Sequence, residues 1–146
     1  MQPTDRLRGF WFAPGSGATD KQIGDTELLI GRALPAELRA LLRARNGGVS
    51  ICTAFVEGVR YFPLLPFLAA DPGSAAGSFT SAHLVRRDFD VPDDVIVFAA
   101  QGNSWLGLCY AASSGEPKVV YRDGGGCAPE IVAPSFREFL DHLIEE

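Results

Sequence analysis

The apolar positions between residues 19 and 48 fall into two short helical patterns. Thr19-Asp20-Lys21-Gln22 has the form of a capping box, with a hydroxyl at the N-cap and an amide three residues later. It predicts a helix that runs from about Asp20 to Ile30, and Gly31 can end that helix. The chain turns at once into the second pattern, so we expect the two helices to form an αα-hairpin.

The second helical pattern is the clearest in the chain. Pro35 suits the first helical position, since its fixed φ fits there and its missing N–H costs nothing. Asn46-Gly47-Gly48 predicts the end of the helix, because glycine takes the left-handed C-cap conformation without a Cβ clash. Between them an apolar stripe of leucines follows helical spacing, and we expect the arginines off that stripe to be solvated. The leucines are Leu34, Leu38, Leu41 and Leu42, and the arginines are Arg39, Arg43 and Arg45.

After the second helix the hydrophobic period becomes that of strands. Residues 49–55 alternate and are rich in β-formers, which predicts a half-buried strand. Glu57-Gly58 is a candidate hairpin turn, and residues 59–65 predict a second strand. Pro63 and Pro66 limit how far that strand can lie inside a sheet.

Further strands are expected in the second half of the chain. The small residues of 69–78 predict a long flexible loop, and residues 79–87 predict a short helix. Residues 95–100 are apolar at every position, which predicts a central strand covered on both faces. Turns separate this strand from two more, at residues 105–112 and 117–121.

The chain closes with a third helical pattern. Ser135-Phe136-Arg137-Glu138 is another capping-box sequence, and apolar residues continue from it at helical spacing. They are Phe136, Phe139, Leu140, Leu143 and Ile144. Helices set apart from hairpin-linked strands favour an α+β fold. We therefore expect one domain over residues 1–146, with an N-terminal arm (1–18), the αα-hairpin, a mostly antiparallel sheet of about five strands and a C-terminal helix packed on that sheet.

Composition is that of an ordinary folded domain. The 146 residues are 47% hydrophobic and 21% charged, which excludes global disorder. No apolar run is long enough for a bilayer, and the N-terminal residues lack a signal-peptide pattern, so we expect a cytoplasmic protein without membrane contact. Three cysteines, Cys52, Cys109 and Cys127, cannot all pair and are expected to be reduced, with Cys127 the most exposed. A net charge of −5 argues against nucleic-acid binding and favours a basic partner.

Motifs for catalysis or cofactor binding are not evident in the sequence. His83 and His142 have no indicated partner for general-base chemistry, and the cysteine spacing contains no close ligand pair for a metal. The stretch Asp123-Gly124-Gly125-Gly126 is not followed by the helix that a phosphate loop needs. We therefore predict no catalytic residue, no metal site and no cofactor.

Acidic and turn residues make up the candidate binding surface. The acidic cluster in residues 88–94 is either a simple solvated loop or an acidic docking edge for a basic partner. Trp11 and Trp105 are either core residues or interface anchors. The candidate partner-binding residues are Glu57, Asp88, Asp90, Asp93, Asp94, Asn103 and Trp105.

The order of the motifs is more specific than any one of them. In sequence they are Ala13-Pro14-Gly15 and Ala18-Thr19; Ile23, Glu27, Ile30-Gly31 and Leu34-Pro35; Leu38, Leu41-Leu42 and Asn46-Gly47-Gly48; residues 92–99 with Gly102-Asn103; Val119-Val120-Tyr121; and Ile131-Val132-Ala133, Ser135-Phe136, Glu138-Phe139-Leu140 and Leu143. Over roughly residues 13–144 this order resembles the SUKH superfamily, and within it the Smi/Knr-like group of cell-wall-assembly regulators and bacterial immunity proteins.

The resemblance implies binding rather than catalysis. Bacterial members resemble immunity proteins that bind and neutralise toxin domains, often nucleases or deaminases, and eukaryotic relatives resemble scaffolding regulators. We therefore expect a non-enzymatic protein-binding domain, a monomer or weak homodimer, that covers the active cleft of a basic toxin. The alternatives are a regulatory or scaffold protein of the Smi/Knr type and, less favoured, a small-molecule binder or enzyme.

Overall fold

The computed structural model describes residues 9–73, 77–111, 116–124 and 128–145. Its helices are α1 (Asp20–Ile30), α2 (Ala36–Ala44), α3 (Phe79–Leu84) and α4 (Phe136–Asp141), and a 3₁₀ turn (Arg86–Phe89) follows α3. Its strands are β1 (Ala54–Glu57), β2 (Arg60–Pro63), β3 (Val95–Gln101), β4 (Ser104–Cys109), β5 (Lys118–Arg122), β6 (Glu130–Ala133) and β7 (Leu143–Ile144).

The strands form two antiparallel sheets. One has three strands in the order β2-β1-β7, and the other has four in the order β3-β4-β5-β6. With helices before and after these sheets, the predicted α+β class is confirmed. The described residues form seven strands rather than about five, because β6 and β7 were not predicted as strands, and the strands form two sheets rather than one.

The first helix forms as its capping box predicts. Thr19 Oγ1 accepts the N–H of Gln22, and the Gln22 side chain accepts the N–H of Thr19. Gly31 ends α1 in the left-handed region at φ 77°. The second helix differs from the prediction at both ends, since Pro35 is its N-cap and Arg45, extended at φ −154°, is its C-cap.

The Arg45 side chain explains why no glycine caps α2. Its Nη1 donates to the carbonyl oxygens of Ala13 and Pro14 at 2.8 and 2.7 Å, and its Nε donates to that of Gly47. These bonds stabilise the extended exit from the helix and hold the N-terminal arm against it. The expectation that Arg45 is merely solvated is therefore wrong.

Strand β1 begins at Ala54, later than predicted, because the residues before it pair with other segments. Ser50 forms an isolated bridge with Trp11 of the arm, and Gly48 forms one with Phe67. The β1–β2 hairpin turns at residues 58–59, one position after the predicted turn. Pro63 ends β2, which lies at a sheet edge as its prolines predict.

Strand β3 is covered on both faces as predicted, but it is an edge strand and not a central one. Residues 95–99 are all buried. The N–H of Leu68 donates to Phe98, and the N–H of Ala100 donates to Pro66, at 2.8 and 3.0 Å. Residues 66–68 therefore hydrogen bond to the free edge of β3, where a further strand would otherwise pair.

The C-terminal helix is shorter than its apolar pattern predicts. Ser135 caps α4 by accepting the N–H of Glu138, but the helix ends at Asp141. Leu143 and Ile144 form β7 and pair with β1. Leu143 and Ile144 fit the helical spacing but form a strand, because they can pair with the open edge of β1.

The core lies between the four-stranded sheet and the elements that cover its two faces. On one face Phe98 contacts Phe67, Phe136 and Phe139 edge to face or tilted, with ring centroids 5.4–5.7 Å apart. On the other face Val97 and Trp105 lie under α3 and the 3₁₀ turn. This second face carries the candidate site.

Two predicted features extend beyond the described residues. The start of the 69–78 loop is held by Asn46, whose side chain donates to and accepts from the backbone of Ala70. Residues 74–76 lie outside the described residues. Cys52 and Cys109 are half-buried. Cys127 and most of the glycine run lie outside the described residues.

Candidate partner-binding surface

A small apolar groove lies between the short helix α3 and the turn that joins β3 to β4. Its cavity volume is about 70 Å³, and its mouth is open to solvent. The lining is almost entirely apolar. It consists of Ala82, Val85, Phe89 and Val91 on one side and Val97, Ala100, Gly102, Ser104 and Trp105 on the other.

The outer wall of the groove is built by a helix, a 3₁₀ turn and a reversal of the chain. Ser78 starts α3 with a capping box to Ser81. After the 3₁₀ turn, Asp90 reverses the chain in the left-handed region at φ 56°, the one non-glycine residue with positive φ in the described part. The N–H of Val91 then donates back to Arg86 at 3.0 Å.

Two donors from neighbouring strands hold this wall against the sheet. Trp105 Nε1 donates to the carbonyl oxygen of Phe89 at 3.1 Å, and Arg122 Nη1 approaches the same oxygen at 3.4 Å. Arg122 Nη2 also pairs with Asp90 at 3.3 Å. Since Trp105 and Arg122 are register partners in β4 and β5, the sheet itself positions the two donors.

One predicted site residue, Trp105, lines the groove, and three others lie next to lining residues in the sequence. Asp88 and Asp90 flank Phe89 on the outer wall and are exposed. Asn103, also exposed, lies in the turn between Gly102 and Ser104. Trp105 forms the floor and is only 2% exposed, so it packs in the core and presents no surface to a partner.

The other predicted residues lie elsewhere. Asp93 and Asp94 precede β3 at the strand end opposite the Gly102-Asn103 turn, where the Asp94 carbonyl accepts the N–H of Tyr110. Glu57 belongs to β1 of the other sheet, where it lines a shallow hollow with Lys118. The acidic residues therefore do not form one continuous docking edge.

Charge is nevertheless divided unequally along the chain. Residues 51–146 contain thirteen acidic and six basic side chains, whereas residues 1–50 contain five acidic and seven basic. The sheets and the groove therefore belong to the acidic part of the molecule. On the 3₁₀ turn Arg86 donates to the carbonyl of His83, and Arg87 is exposed beside Asp88.

The residues of the outer wall were not among the predicted site residues. Ala82, Val85 and Phe89 follow one another at i, i+3 and i+7, a spacing that marks one face of a helix. That signal is present in the sequence, but it does not show that the face borders an opening. The opening depends on how α3 sits on the sheet.

A second polar cluster joins the α1–α2 loop to the sheet. The Tyr110 hydroxyl donates to the carbonyl of Ala33 at 2.7 Å, and the Arg32 guanidinium lies 5.2 Å from the ring centre. Burial raises the pKa of Tyr110 to about 12. The hydroxyl therefore stays protonated at neutral pH and serves as a structural donor.

The described ranges contain neither a metal-binding cluster nor a membrane-spanning helix. Within them, no three His, Cys, Asp or Glu side chains are grouped so that they could hold a metal ion. In the same ranges, no helix has the length and apolar character needed to cross a membrane.

Comparison with known protein families gives one match. A family model described as the SMI1 / KNR4 family (SUKH-1) matches residues 17–142. The chain belongs to the SUKH-1 family. This confirms the resemblance drawn from the order of the motifs. The matched SUKH-1 region begins just before the capping box of α1 and ends just after α4, so it contains every element of the groove. No curated protein matches the chain.

Proposed function

We propose that this SUKH-1 domain is a non-catalytic protein-binding domain that neutralises a basic toxin domain, of nuclease or deaminase type, in the bacterial cytoplasm. The observation that carries the proposal is an apolar groove next to the exposed Asp88 and Asp90, in the acidic part of a chain of this family. Binding occludes the toxin's active cleft, so the domain needs no catalytic group of its own.

The groove and the charge supply different parts of the binding energetics. Most binding energy in protein interfaces comes from a few anchors that fill desolvated pockets. Complementary charge mainly raises the association rate and selects partners. A standard interface buries about 800 Å² on each partner, more than the groove alone provides, so the surrounding rim must take part.

Co-expression tests the proposal directly. The full chain is produced together with the toxin domain encoded beside it, and the complex is purified and assayed for toxin activity. We expect a stable complex, inhibition of the toxin, and an affinity that falls as salt rises, because salt screens the attraction between acidic and basic surfaces. A complex in which the partner stays fully active contradicts neutralisation and favours the regulatory or scaffold role.

A further inference from the structure

We draw no further inference here: the strongest candidate, the apolar surface patch that the exposed Leu28 and Leu29 form in the last turn of α1, carries none, because nothing in the described part of the chain shows what covers it.

Discussion

Thr26 offers a sharp test of the packing beneath the candidate site. Its side chain is fully buried on α1, the helix that packs against α3, and no described residue hydrogen bonds to its Oγ1. Thr80 in α3 is also buried, but its hydroxyl donates to the carbonyl oxygen of Asp71 at 2.7 Å. The same substitution, Thr to Val, should therefore have opposite effects at the two positions.

The magnitudes follow from the hydrogen bonds. Leaving a polar group buried without a partner costs about 1–3 kcal/mol, whereas an intramolecular hydrogen bond contributes about 1 kcal/mol net. Val keeps the branched shape and removes the hydroxyl. We expect Thr26→Val to raise the free energy of unfolding by about 1 kcal/mol and Thr80→Val to lower it by about 1 kcal/mol, because it leaves the Asp71 carbonyl without its donor.

Urea unfolding followed by circular dichroism measures both changes. In thermal unfolding of a domain of this size, each change of 1 kcal/mol in the free energy of unfolding would appear as a shift in Tm of about 3 °C. Thr26→Ala serves as a control for shape, since it removes the hydroxyl and also a packed methyl group, and it should be less stable than Thr26→Val. A destabilised Thr26→Val, or two Val variants that shift in the same direction, would refute the reasoning.

Two further predictions concern a close backbone contact and an ion pair. A Cβ at Gly17 would lie 1.7 Å from the carbonyl oxygen of Arg43, whereas a Cβ at Gly24 of α1 meets nothing within 4 Å. Gly17→Ala should therefore lower the Tm strongly, and Gly24→Ala should stabilise the protein by about 0.5–1 kcal/mol, as measured by thermal unfolding. The hydrogen bond with Arg60 holds the pKa of Glu130 below its usual value of 4.5, so the stability from this pair is present above that value and is lost as the pH falls below it. Glu130→Gln should accordingly lose less stability than the wild type between pH 6 and pH 3 in urea unfolding, and an equal loss contradicts this assignment.

The parts of the fold that were predicted correctly depend on short stretches of sequence. The capping box at Thr19 and the glycine at position 31 define α1 within a dozen residues. The errors come from residues whose conformation depends on distant segments. Ile144 fits a helical pattern but pairs with Ala54, and β3 lies at an edge that the segment around Phe67 covers.

The candidate site also combines features that short stretches of sequence indicate with features that depend on distant segments. Asp88, Asp90 and Asn103 are polar residues at turns, and the sequence alone indicates that they are candidates for binding. Their meeting around one groove depends on the chain reversal at Asp90 and on the pairing of Trp105 with Arg122 across two strands. Neither feature follows from periodicity or composition.

Hydrogen–deuterium exchange of the purified complex tests the central claim most directly. The full chain is compared free and bound to the toxin domain that it captures, with the Val85→Lys chain measured in parallel. The account predicts that binding slows exchange most in residues 82–91 and 102–105, and that Val85→Lys loses this protection together with affinity. Protection centred on α1 and α2 or on the β1–β2 hairpin, with the groove unchanged, would contradict it.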